Sequence, residues 1–268
     1  MTAVHTAPAR PRDPGPPAIL CPAMHATMYR PDPAHPERLL PVGAGAPRPD
    51  LTASAMHGAF RAFVLDPQYS CVGARSAVHS GSYRLGVYER LGDATAALGR
   101  DLAGFTAGIG EIGGAFATFV ALFKQPQELD EVEFEAALWA QLQALHDVDA
   151  AGWDPQVSAD PDDPRFAFSF AGRASFVIGL HPGSGRVSRR FPWPALVFNP
   201  HVQFESLRQT GKYGRMQAVI RERERALQGD VNPALGDFGV ASEARQYSGR
   251  AVEPGWRPPF CPHLRARP

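Results

Sequence analysis

Arg165-Phe166-Ala167-Phe168-Ser169-Phe170-Ala171-Gly172-Arg173-Ala174-Ser175-Phe176-Val177-Ile178-Gly179-Leu180-His181 is the stretch on which the fold turns. Phe166, Phe168 and Phe170 alternate with smaller residues, the period of a β-strand, and Ala174–His181 is nearly all apolar, a second strand. Gly172 between them suits a hairpin turn. Asp160-Pro161-Asp162-Asp163-Pro164 in front is a turn by composition. An antiparallel hairpin of this kind needs other layers to cover it, and the flanking sequence supplies them.

On the C-terminal side, Ala195–Phe198 follows Pro192 and Pro194 as a short apolar strand. The longest helix is expected over Val202–Leu227, interrupted at Gly211 and stopped by Gly229. Within it, Ile220-Arg221-Glu222-Arg223-Glu224-Arg225 has the interleaved charges of a solvated face. On the N-terminal side, Asp130–Asp147 reads as a helix, with acidic residues in its first turns and Phe134, Leu138, Leu142 and Leu145 at helical spacing. Ala115–Phe123 is a continuous apolar run that suits a buried strand. Ala94–Phe105 and Ser82–Leu91 read as helices, and Ala59–Leu65 as a short strand or helix end. The last forty residues are loop-like and polar. No internal repeat is present. The fold class is α+β, a small mixed or antiparallel sheet with packed helices in one domain.

Proline is uneven: 12 of the 27 fall in the first 50 residues. They remove amide donors and fix φ, so residues 1–55 are expected to be an extended arm and residues 56–268 the folded body. Within the arm, His35–Pro41 carries both charges and leucines and is the part expected to dock.

The 268 residues hold 27 Lys+Arg against 27 Asp+Glu, a formal net charge of zero. That balance argues against a phosphate-backbone partner, so no nucleic acid is expected. No apolar run approaches a bilayer-spanning length and the N-terminus lacks a signal-peptide pattern, so a cytoplasmic protein without membrane contact is expected. Three cysteines, Cys21, Cys71 and Cys261, form neither a disulfide framework nor a CxxC pair.

No GxSxG, GxxxxGK[ST], HExxH or EF-hand spacing occurs, and Gly108-Ile109-Gly110 lacks the strand that a dinucleotide fingerprint needs in front. Histidine is the residue type to weigh. Of the nine, His5 and His25 fall in the arm, and His146 suits a helix C-terminus. His181 and His201 each end an apolar strand beside a proline, where a side chain either projects into a pocket or caps the strand. A single imidazole is enough to hold one cofactor, haem, because the porphyrin supplies the other four nitrogens. Arg186, Arg189 and Arg190 offer cations for its propionates, or a solvated basic loop. Cys71 and Cys261 could ligate iron as thiolates, act as nucleophiles, or simply pack.

Asn199-Pro200-His201-Val202-Gln203-Phe204-Glu205-Ser206-Leu207-Arg208 resembles the NxHxQFExLR block of the YqcI/YcgG family. In the family's order follow Gly179–Arg186, Ile220–Arg223, Leu227–Pro233, Ser242–Arg250 and the ending from Trp256 to Cys261-Pro262-His263, so the resemblance spans about residues 59–263. Two positions depart from the pattern: His263 stands where the family closes on CPF, adding a ligand candidate, and Gly185 interrupts a serine pair before Arg186.

The resemblance implies a haem-dependent monooxygenase using haem b. It would hydroxylate a nitrogen of a guanidine or amino group on an arginine-like substrate, in natural-product biosynthesis, with dioxygen and an external electron donor. It points to His201 as axial ligand, with His181 as the alternative. It also points to Glu205 and Glu243, with Asp237 behind them, as carboxylates for a guanidinium. Arg245 or Arg250 would receive the substrate's carboxylate. Two other readings stand beside it: a haem-binding sensor or carrier without turnover, and a non-haem hydrolase with Cys71 as nucleophile.

Overall fold

The computed structural model describes residues 28–43, 45–113, 116–231 and 240–263. His5, Cys21, His25 and Asp237 lie outside them. Seven strands form one mixed sheet: β1 (Met28–Pro31), β2 (Leu39–Pro41), β3 (Tyr83–Arg90), β4 (Thr118–Gln125), β5 (Phe168–Phe170), β6 (Arg173–Leu180) and β7 (Ala195–Pro200). Their order is β2-β1-β3-β4-β7-β6-β5, and only the β3–β4 pair is parallel. Among the described residues, six α-helices cover it: α1 (Leu51–Leu65), α2 (Val72–Ser80), α3 (Thr95–Ala107), α4 (Glu131–Val148), α5 (His201–Gln209) and α6 (Tyr213–Gln228). The α+β expectation stands.

The central strand β4 explains its own composition. Phe119, Ala121 and Phe123 point to one face, where they meet Leu98, Leu102 and Phe105 of α3 and Leu138 of α4. Val120 and Leu122 point to the other, where they meet Met56, Phe60 and Val64 of α1 and Val78 of α2. A strand covered on both faces has no polar side to alternate with, hence the unbroken apolar run. Helix α4 begins with a reciprocal capping box: Asp130 accepts from the Val132 and Glu133 amides, and Glu133 accepts from the Asp130 amide. The β5–β6 hairpin turns at Ala171 and Gly172, both at positive φ (52° and 73°), as a two-residue turn matched to strand twist requires.

Four expectations change. Residues 28–41 are more than an extended arm: β1 and β2 form a hairpin that extends the sheet from β3, with Met28, Tyr29 and Leu39 buried, and β2 lies within the segment 35–41 expected to dock. Pro31 and Pro41 each end a strand, and Pro33 and Pro36 lie in the turn between them, positions where a missing amide costs least. The folded body then starts α1 at Leu51, capped by Asp50, ahead of residue 56. Residues 82–91 form a strand rather than a helix, because β3 pairs with β4 from Tyr83↔Thr118 to Arg90↔Gln125. Long-range pairing overrides the helix-forming Leu, Arg and Glu of that segment. The expected helix 202–227 is two helices, α5 and α6, broken where Gly211 adopts φ 67°.

Candidate functional site

Where β6, β7 and the start of β4 pass beneath α5 and α6, the protein encloses a cavity of about 210 Å3. The sheet lines it with Phe176, Ile178, Leu180, Val197 and Asn199. Helix α6 lines it with Tyr213, Met216, Ile220, Arg221 and Glu224, and Phe116 and Phe204 add aromatic walls. Apolar side chains predominate, and the polar groups among them are few and specific, the usual character of a small-molecule site.

His201 enters this cavity because β7 ends at Pro200 and α5 starts on the next residue, fixing the imidazole at a strand-to-helix corner. It is buried, and its Nε2 lies 3.3 Å from Glu243 Oε2. The other carboxylate oxygen, Oε1, accepts from Tyr247 Oη at 2.7 Å, and Tyr247 Oη itself accepts from the Phe168 amide at 3.0 Å. The carboxylate is thus gripped from both sides. Burial pushes the Glu243 carboxyl above its ordinary range, opposed by the hydrogen bonds from His201 and Tyr247. A carboxylate behind an imidazole fixes the ring's orientation and increases its strength as a ligand.

Of the residues expected at a site, the cavity brings together His201, Glu243, Cys71 and Arg189. Two of these have other duties. Arg189 is buried and donates to the carbonyls of Gly179, Tyr247 and Gln246, binding β6 to the turn at residues 243–247. Cys71 caps α2, its Sγ accepting from the Ala74 amide at 3.4 Å, and burial pushes its thiol up, away from the thiolate that a nucleophile or iron ligand needs.

The others lie elsewhere, each for a local reason. His181 follows Phe176, Ile178 and Leu180, which face the cavity. Strand parity sends it to the opposite face, where its ring stacks on Phe134 with centroids 4.2 Å apart. Burial lowers its pKa to about 4. Glu205 pairs with Arg208 on α5 and is not in the lining. Arg186 pairs with Asp230, and Arg190 donates to the Ser184 carbonyl at 2.8 Å, so the three arginines of residues 186–190 do not converge. Arg245 donates to the carbonyls of Trp256 and Glu253 beside a separate shallow pocket. Arg250 is engaged by Glu135 and Glu253. His263 stacks on His146, away from the cavity, and Cys261 is exposed.

Among the described residues, the cations that line the cavity are Arg208 and Arg221 besides Arg189, and the acid beside Glu243 is Glu224. Arg208 was not singled out in the sequence, although its place at the end of the NxHxQFExLR block was a signal that could have done so. Arg221 and Glu224 sit in the charge-interleaved stretch that reads as solvated, yet Glu224 is only 4% exposed. Among the described residues, no group of three or more His, Cys, Asp or Glu could hold a metal ion, and no helix is long and apolar enough to cross a membrane.

The chain is similar to YcgG of Bacillus subtilis (strain 168), 34% identical over 133 residues, 47% of this chain and 53% of that protein. It is likewise similar to YqcI of the same strain, 33% identical over 143 residues, 50% of this chain and 56% of that protein. The chain thus spans about half the length of the curated relatives it matches. No solved structure matches it. The family model described as YqcI/YcgG matches residues 60–261, from α1 through the cavity's His201 and Glu243 to the C-terminal Cys261, and the chain belongs to the YqcI/YcgG family.

Proposed function

We propose that the cavity binds haem through His201 and that the protein is a haem-dependent monooxygenase hydroxylating a nitrogen of a guanidine or amino substrate. The observation that carries the reading is His201, buried in an apolar cavity and backed by the doubly held Glu243. The activity itself comes from the family resemblance described above.

The donor set fits the cofactor. One imidazole is sufficient, the walls are aromatic and aliphatic, and Arg208 and Arg221 in the lining are suitable cations for propionates. Bound there, haem supplies an iron that binds and activates dioxygen. The chain's contribution is positional. His201 would hold the iron, and Glu243 would keep the ring in one orientation with Tyr247 behind it. Phe116, Phe176 and Phe204 would exclude water. Overall, one oxygen atom enters the N–H bond and the other leaves as water, with two protons and two electrons from an external donor. A purely apolar pocket would suit a carrier; polar groups such as Glu224, Gln217 and Asn199 in the lining favour an enzyme.

The test is an absorption spectrum of protein expressed with haem supplied, ferric and then ferrous with carbon monoxide. The expected result is a Soret band with an imidazole-type carbonyl complex, lost in His201→Ala and retained in His181→Ala. Absence of stoichiometric haem in the wild type would overturn the reading.

A further inference from the structure

Among the described residues lining the cavity, Glu224 is the acid with a buried oxygen that the folded protein leaves without a partner. It is 4% exposed, and its Oε2 is buried without a hydrogen-bond partner among the described residues. Leaving a carboxylate in that state costs stability, so such a group calls for a reason. The other two acids expected near the site are already engaged: Glu243 by His201 and Tyr247, Glu205 by Arg208 outside the lining. Glu224 also sits among different neighbours. Its charge is felt by Tyr69, Cys71 and Arg189, whereas Glu243 answers to His201, Tyr247 and Arg208. Arg189 is no direct partner, since its guanidinium donates to three backbone carbonyls.

We propose that Glu224 is the counter-charge for a cationic nitrogen group on the substrate, a guanidinium or protonated amine, which supplies the hydrogen bonds that Oε2 lacks. This rests on the reading of the cavity as a substrate site. Helix α6 carries Glu224 into the cavity with Tyr213, Gln217, Ile220 and Arg221 along the same face, so the acid arrives on a rigid element. A buried carboxylate oxygen with no internal partner discriminates strongly, because a neutral isostere leaves it unpaired.

The test uses the full chain expressed with haem supplied, with calorimetric titration of agmatine, L-arginine and L-ornithine, and two controls: L-citrulline, whose side chain is neutral, and N-carbamoylputrescine-type neutral ureas, which lack any cationic nitrogen at that end. Wild type is expected to bind at least one cationic probe and to reject both controls. Glu224→Gln is expected to weaken that cation about 10- to 100-fold with an unchanged Soret band. It is also expected to raise the ligand-free Tm by about 2–4 °C, because it removes a buried unpaired acid. Equal cation affinity in Glu224→Gln, or no cationic probe bound by wild type, would overturn the assignment. So would a lower Tm or failure to fold, since that identifies Glu224 as a structural counter-ion of Arg189. Cation binding that depends on Glu224 in a protein lacking haem would sink the oxygenase reading and leave this one standing. Haem with a silent Glu224→Gln would do the reverse.

Discussion

Tyr247 Oη donates to Glu243 Oε1 at 2.7 Å, so the carboxylate beside His201 is anchored by a phenol that is itself fully buried. Removing only that hydroxyl, in Tyr247→Phe, leaves both Glu243 Oε1 and the Phe168 amide short of a partner. Each unsatisfied group costs about 1–3 kcal/mol. Urea unfolding should therefore show a loss of about 2 kcal/mol or more. If His201 binds haem, the freed carboxylate should weaken it about 10- to 100-fold. A variant as stable as wild type would show that the hydroxyl does not anchor the acid.

Two histidines away from the cavity make stability depend on pH. His57 Nε2 lies 2.6 Å from Tyr83 Oη and His181 stacks on Phe134; burial lowers both pKa values to about 4. In the unfolded chain each titrates near its ordinary value of about 6.5. Between those values the unfolded state binds more protons, so stability is fully present above about pH 6.5 and is lost as pH falls toward 4. The loss is on the order of 3 kcal/mol per histidine if nothing opposes it. Thermal melts at pH 7 and pH 4.5 check this. His181→Phe should show a smaller drop than wild type, and an equal drop would acquit His181.

How far the sequence could be read depended on what each signal encoded. The apolar run of β4, the helix that starts at Asp130 and the hairpin at Gly172 were legible because local chemistry specifies them. Strand β3 was not: Leu85, Arg84 and Glu89 are acceptable in a helix, and only the pairing with β4, more than thirty residues away, decides. Motif position singled out His201 and Glu243, and both lie in the cavity lining. His181 lies outside the lining by one step of strand parity, which depends on which face the cavity occupies. Glu224 was invisible for a similar reason. Glu222, Arg223, Glu224 and Arg225 look equivalent in sequence, and only the packing of α6 over the cavity singles out Glu224 for burial.

Glu135 ties the C-terminal segment to α4. Its buried carboxylate accepts from Ser248 Oγ at 2.8 Å, an Arg250 guanidinium nitrogen at 2.8 Å and Trp256 Nε1 at 3.1 Å. Glu135→Ala strands a partly buried arginine and two other donors at once, and breaking such a pair costs about 3–5 kcal/mol. Because residues 243–247 lie on the same segment, the variant should, if His201 binds haem, lose haem affinity as well as stability. Replacing Arg250 and Glu135 together by Met and Leu should recover much of the stability, and a double variant no better than Glu135→Ala would argue against the pair.

The hairpin β1–β2 gives the last prediction. A chain starting at Met28 keeps Tyr29 paired with Leu85, and keeps the Asp50 carboxylate that accepts from the Ala53 amide at 2.6 Å at the head of α1. A chain starting at Thr52 loses both. It exposes the β3 edge and gives up the burial of Met28, Tyr29 and Leu39, each worth about 1.5–3 kcal/mol, together with a helix cap worth about 1 kcal/mol. That sum is comparable to the whole stability of an ordinary domain, about 5–15 kcal/mol. The 52–268 protein should therefore aggregate or melt far below the 28–268 protein, since its bare parallel strand is also a template for intermolecular pairing. Equal melting temperatures would mean that the hairpin merely rests on a body that is complete without it.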